Sequence, residues 1–209
     1  MEIEATGLGK KFQKNWIFRD LNYQFNASNS YAVTGHNGSG KSTFLQVLIG
    51  FVPPNEGQTI FKLNGEILPT EKLVEHFDIV TPYLELVEEF TLEEFLKFHF
   101  KFKSLKDQIS IDSFIEKIYL EKDRDKEIKF FSSGMKQRLK LGLGFFSNSE
   151  LLLLDEPTTN LDEKGTEWYL ENVKDVIQNK LVLISSNQKH EYEFCNEVIH
   201  IPDFKRSNS

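Results

Sequence analysis

Apolar positions along this chain fall into short unbroken runs that alternate with helix-spaced stretches. Tyr31-Ala32-Val33-Thr34 predicts a short buried strand, and Lys41 to Ile49 the helix after it, with Gly50 placed to end that helix. Pro53, Pro54 and Gly57 then interrupt any regular element. Asn64-Gly65 sits between Ile60-Phe61-Lys62-Leu63 and Glu66-Ile67-Leu68, which is a strong hairpin signal. Ile79-Val80 predicts a further core strand. From Thr91 the pattern turns helical, and Thr91-Leu92-Glu93-Glu94 fits a capping box in which Glu94 reaches back to Thr91.

A helix-rich insertion is expected over about residues 84–140. It precedes the four-leucine run Leu151-Leu152-Leu153-Leu154, which ends in Asp155-Glu156-Pro157. Such a run reads as a buried parallel strand that delivers two acids to its carboxyl end. Leu181-Val182-Leu183-Ile184 predicts the next buried strand and Val198-Ile199-His200-Ile201 the last. The polar stretch Asp203 to Ser209 is expected to fray. Strands and helices that alternate in this way make an α/β sheet with a helical lobe.

The length of 209 residues is enough for a substantial core and predicts one domain, 1–209, carrying that lobe. A net charge of −7 argues against a nucleic-acid binder relying on a basic face, so no nucleic acid is expected as partner. The single cysteine, Cys195, permits no intrachain disulfide and fits a reducing compartment. Met1-Glu2-Ile3-Glu4 is acidic and lacks the apolar stretch of a signal peptide. No run approaches the roughly 20 apolar residues that span a bilayer. The expectation is a soluble cytoplasmic protein whose membrane link comes through a partner.

Candidate chemistry gathers in three segments. Gly35-His36-Asn37-Gly38-Ser39-Gly40-Lys41-Ser42 matches G-x-x-x-x-G-K-S in full, between a predicted strand and a predicted helix. Glycines let the backbone curl so that successive N–H groups point at one anion, and the helix N-terminus adds its dipole. Lys41 is placed for the β- and γ-phosphates, Ser42 for Mg²⁺ through its hydroxyl, and Thr43 for a further phosphate contact. Asp155 is placed to hold Mg²⁺ and Glu156 to polarise an attacking water. Phe131-Ser132-Ser133-Gly134-Met135 could open a helix whose amides face an anion. The blander readings are a ligand-free glycine turn, two solvated acids and a plain serine-capped helix.

Together these segments resemble the nucleotide-binding subunit of an ABC (ATP-binding cassette) ATPase, over about Ile3 to Ile201. The resemblance implies a P-loop NTPase core with a parallel sheet, an antiparallel β subdomain and a helical lobe. It implies ATP and Mg²⁺ as cofactors, and a second ABC ATPase subunit paired head to tail around two ATPs, as homo- or heterodimer. Ser132 and Gly134 would then complete the partner's site, and Thr159-Asn160-Leu161-Asp162 resembles the D-loop at the dimer seam. A separate membrane-spanning subunit is the further partner, with the chain peripheral on the inner face of the cell membrane.

Departures from the family pattern mark the remaining candidates. Phe12 falls where the family stacks an aromatic on adenine, with Trp16 as rival and a packed core phenylalanine as the alternative. Pro82 stands at the Q-loop glutamine position and cannot supply its side-chain amide. Leu84 to Phe90 is a reasonable docking surface for the membrane partner. Asn187 stands at the switch-histidine position, where it can donate to a γ-phosphate oxygen but carry no proton. His190 either substitutes for that histidine or faces solvent. The expected activity is transport-coupled ATP hydrolysis. The alternatives are a soluble non-transport ABC ATPase and a slow regulatory nucleotide-binding subunit.

Overall fold

The computed structural model describes residues 1–27, 29–106 and 109–205. Two sheets carry the fold. Strands β1 (Glu2–Phe12), β2 (Asn15–Asn26), β4 (Glu56–Leu63) and β5 (Glu66–Leu68) form an antiparallel sheet in the order β2-β1-β4-β5. Strands β3 (Ser30–Thr34), β6 (Phe77–Val80), β7 (Leu151–Asp155), β8 (Leu181–Ser185) and β9 (Glu197–His200) form a parallel sheet in the order β6-β7-β8-β3-β9. The mixed α/β architecture is the one expected, with both the parallel and the antiparallel sheet.

Six helices complete the described chain: α1 (Lys41–Leu48), α2 (Thr70–Leu73), α3 (Leu92–His99), α4 (Ile111–Lys117), α5 (Ser133–Phe145) and α6 (Glu163–Val176). The unbroken apolar runs make physical sense in this sheet. Leu151 and Leu153 pack with α1 and the antiparallel sheet, while Leu152 and Leu154 pack with α3, α5 and α6. Successive side chains leave a strand on opposite faces, so a strand covered on both sides must be apolar throughout.

Local signals are satisfied where they were read. Asn64 and Gly65 both take positive φ, 53° and 84°, as a two-residue hairpin turn between β4 and β5 requires. Thr91 Oγ1 accepts from Glu94 N, and the Glu94 carboxylate accepts from Thr91 N at 2.9 Å. The tail behaves differently from expectation at its start. Ile201–Phe204 winds into a 3-10 turn with Phe204 packed against the core, and residues 206–209 lie outside the described residues.

A buried polar cluster lies just ahead of β7 and β8, beside the end of α5 and β6. Lys180 Nζ donates to Gly144 O, Ser147 O, Ser147 Oγ and Ser149 Oγ at 2.8–3.3 Å. Ser147 Oγ in turn donates to Asp78 of β6. Burial pushes the Lys180 ammonium down to about 8, with the neighbouring Asp78 acting in the opposite sense. Among the described residues, no helix is long and apolar enough to cross a membrane.

Candidate functional site

The phosphate loop joins the end of β3 to α1. Gly35, Gly38 and Gly40 take φ of 143°, 77° and 106°, which is where glycine is needed. At Gly40 space is also decisive, since a Cβ there would meet Ile17 Cγ2 at 2.0 Å. Lys41 is buried, and its ammonium donates to Gly35 O at 2.9 Å and to His36 O at 3.5 Å. The lysine thus spans the loop it belongs to. Ser39 Oγ is buried without a partner among the described residues. His36 is exposed, and its Nδ1 lies 2.9 Å from Asn37 O.

A cavity of about 410 Å³ opens over this loop, lined by Asn37, Gly38, Gly40, Lys41, Ser42, Thr43, Ile17, Tyr83 and Glu156. The loop and the second carboxylate of the acid pair therefore face one space. Asp155 ends β7 in register with Ser185 of β8 and is only 4% exposed. Its Oδ1 has no hydrogen-bond partner among the described residues. A buried carboxylate oxygen left without a donor is costly unless a cation or its water shell completes it, so the residues fit a magnesium ion. Glu156 lies one residue beyond β7 at φ 47°, with its N–H donating to Ser185 O at 2.8 Å.

Asn187 follows Ser186, which is fully buried and anchored by its N–H to Val33 O at 3.2 Å. Held there, Asn187 donates its side-chain amide to Asn37 Oδ1 at the loop. His190 turns elsewhere: its Nε2 lies 3.4 Å from Thr158 Oγ1.

Three expected residues lie apart from this cavity. Ser132 caps α5, with Oγ accepting from Met135 N at 3.2 Å, and Gly134 is one residue into that helix. A side chain at position 134 would press the Asn160 carbonyl at 3.0 Å, so the glycine lets the segment around Asn160 approach α5. Phe12 ends β1, 51% exposed and under the Lys10 ammonium, which places it outside the core. Trp16 lies on β2 between the cations of Lys11 and Arg19.

Pro82 lies in a turn closed by Leu84 N donating to Thr81 O at 3.2 Å, with Tyr83 exposed beside it. The Pro82 carbonyl accepts from Lys140 Nζ at 3.3 Å, and the pKa of that buried lysine is lowered by desolvation and by Lys136 beside it. From Leu84 to Phe90 exposure alternates, with Leu86 and Phe90 packed on the lobe and Val87 facing out.

Sequence reasoning did not single out Ile17, Glu191 or Thr158. Ile17 fills the space against Gly40. Glu191 is wholly buried, and its Oε1 accepts from Thr158 N at 2.8 Å and from the Thr158 hydroxyl. A glutamate 33 positions from its partner leaves no local pattern to find.

Comparisons with known proteins agree with this geometry. The family model described as "ABC transporter" matches residues 18–159. The uncharacterized ABC transporter ATP-binding protein YybJ of Bacillus subtilis is 30% identical over 195 residues, covering 90% of this chain and 87% of the relative. The linearmycin resistance ATP-binding protein LnrL of the same organism is 28% identical, and the match covers 96% of this chain but 66% of that relative. Among solved structures, a post-hydrolysis dimer of the ATP-binding cassette MJ0796 bound to ADP and Pi superposes with a TM-score of 0.79. Its identity is 19%, over 95% of this chain and 93% of that one, which is a likeness of fold. A phosphate loop facing a strand-borne acid pair, in a chain matched over most of its length, makes this protein a member of the ABC transporter family of ATP-binding proteins.

Proposed function

We propose that this chain is the ATP-binding and ATP-hydrolysing subunit of an ABC membrane transporter, working as a head-to-tail pair around two ATPs. The observation that carries the reading is the single cavity shared by Lys41, Ser42, Thr43 and Glu156. In it the loop amides and the Lys41 ammonium bind the phosphates. Phe12 is the candidate for the adenine face. Ser42 and Asp155 would hold Mg²⁺, which neutralises charge on the phosphate oxygens when bound. Glu156 orients and polarises the attacking water, and Asn187 donates toward the γ-phosphate.

Pairing is supported by Ser132 and Gly134 standing apart from this chain's own phosphate loop, and by the dimeric form of the MJ0796 cassette. The membrane-spanning subunit is a separate chain, and this one works on the cytoplasmic face of the membrane. A second reading, a slow regulatory nucleotide-binding subunit, is favoured by Pro82 and Asn187 at the glutamine and histidine positions.

Phosphate release from purified protein with ATP and Mg²⁺ separates the two. Glu156→Gln should keep ATP binding and lose about 10²- to 10⁴-fold in turnover, because the amide keeps the size but not the base. Trapped ATP should then hold a dimer visible by gel filtration. Turnover of the variant at the parental rate would show that Glu156 is not the catalytic group.

A further inference from the structure

The segment that follows Glu156 is held from two sides by buried polar side chains distant in sequence. On one side, Gln137 of α5 is 2% exposed and donates Nε2 to Pro157 O at 2.7 Å. On the other, Glu191, from the 3-10 turn after β8, accepts both the N–H and the hydroxyl of Thr158. Glu191 is itself pinned, since Tyr169 OH from α6 donates to its carbonyl at 2.8 Å. His190 Nε2 lies 3.4 Å from Thr158 Oγ1, and Tyr169, which interacts with both Glu191 and Cys195, is buried.

This restraint has a reason. Glu156 is a non-glycine residue at φ 47°, a left-handed backbone that persists only where its surroundings hold it. Its own N–H is fixed by Ser185 O, and its carbonyl accepts from Thr159 N at 3.1 Å, a bond local to the turn that does not tie the next two peptide units to the rest of the molecule. Pro157 contributes no N–H, so its carbonyl and the Thr158 donors are the polar handles by which those units can be held. Both are taken. Glu191 Oε1 accepts from both Thr158 donors at once, while its Oε2 has no hydrogen-bond partner among the described residues.

We infer that Gln137 and Glu191 are positioning residues that clamp Pro157-Thr158 and so keep the Glu156 carboxylate turned into the phosphate-loop cavity. The inference rests on the reading of Glu156 as the water-activating group. It also gives α5 a second task. The helix whose N-terminus carries Ser132 and Gly134 reaches, one turn on, the loop that aims the catalytic acid of its own subunit.

The test uses the whole protein. Thr158→Val and Gln137→Met remove the hydroxyl and the amide donor at nearly constant volume. Each should lower kcat about tenfold, the effect of one lost buried hydrogen bond, while KM for ATP stays within about twofold. Thr158→Ser, which restores the donor, should recover most of that loss. Hydrogen–deuterium exchange over residues 155–161 should quicken in Thr158→Val and in Gln137→Met. A Glu191→Ala chain that fails to fold changes nothing, because Thr158→Val removes the hydroxyl bond from the other end.

Unchanged kcat in both variants overturns the inference, as does KM rising in step with the loss of kcat. Parental protein without ATP turnover would sink the reading of Glu156 instead. Amide exchange then still decides the clamp, and unchanged exchange in both variants overturns it.

Discussion

Asn187 donates its side-chain amide to Asn37 Oδ1, which ties the turn after β8 to the phosphate loop between β3 and α1. Asn187 therefore touches the loop directly, whereas His190 touches Thr158. Asn187→Ala should lower turnover about fivefold, as loss of a neutral hydrogen bond of about 1 kcal/mol implies. Asn187→His should raise it, and His190→Ala should change it little. Steady-state phosphate release at saturating ATP checks all three. A silent Asn187→Ala beside an inactive His190→Ala would move the γ-phosphate sensor to position 190.

Ser132 should matter to the partner's site rather than its own. Ser132→Arg is expected to leave binding of a fluorescent ATP analogue by the monomer nearly intact while suppressing hydrolysis. Mixed with a Lys41→Ala chain, it should form an asymmetric pair with one intact composite site. Activity recovered on mixing is the predicted result, and no recovery at any ratio counts against a shared site.

Two loop glycines should answer substitution differently. A Cβ at Gly38 meets nothing within 4 Å, so Gly38→Ala carries only the left-handed backbone penalty of about 1–2 kcal/mol. At Gly40 the same penalty is joined by overlap with Ile17 Cγ2 at 2.0 Å. Gly40→Ala should therefore cost more folding stability than Gly38→Ala. Denaturant unfolding without nucleotide separates them, and equal losses would remove Ile17 from the account.

Lys180 predicts a pH effect on stability. Its folded-state value of about 8 lies below the ordinary lysine value, so between about 8 and 10.5 the unfolded chain binds the extra proton. Stability from this group consequently rises with pH across that window, by on the order of 3 kcal/mol at most. Burial of Cys195 raises its thiol to about 11 and works in the opposite direction above pH 9. The contribution of Lys180 is thus the difference between parental protein and Lys180→Met, followed by denaturant unfolding from pH 7 to 10.5. Parallel curves would refute it.

What the sequence made legible was local. The leucine run, the Asn64-Gly65 turn, the Thr91 capping box and the phosphate loop each announce themselves within ten residues. The first 26 residues did not, because the two long strands there are broken by bulges between Ala5 and Leu8 and again around Lys10. Those register shifts destroy the alternation that marks a strand. Asp155 and Glu156 were readable as a pair, but not that Oδ1 of the first would be orphaned. The contacts of Gln137, Glu191 and Lys180 join positions 20 to 36 apart in sequence, and no periodicity encodes them.

The strand order β6-β7-β8-β3-β9 fixes when this machine can first exist. The strand that launches the phosphate loop, β3, pairs with Leu181–Ser185 on one side and with Glu197–His200 on the other. A nascent chain emerging from the ribosome thus carries its nucleotide loop for some 150 residues before either neighbour is made. Closing so long a loop is entropically expensive, and the sheet's centre forms only when its last two strands arrive. ATP should accordingly bind no translation intermediate shorter than about residue 200, and loss of the final strands should disarm the loop without touching it.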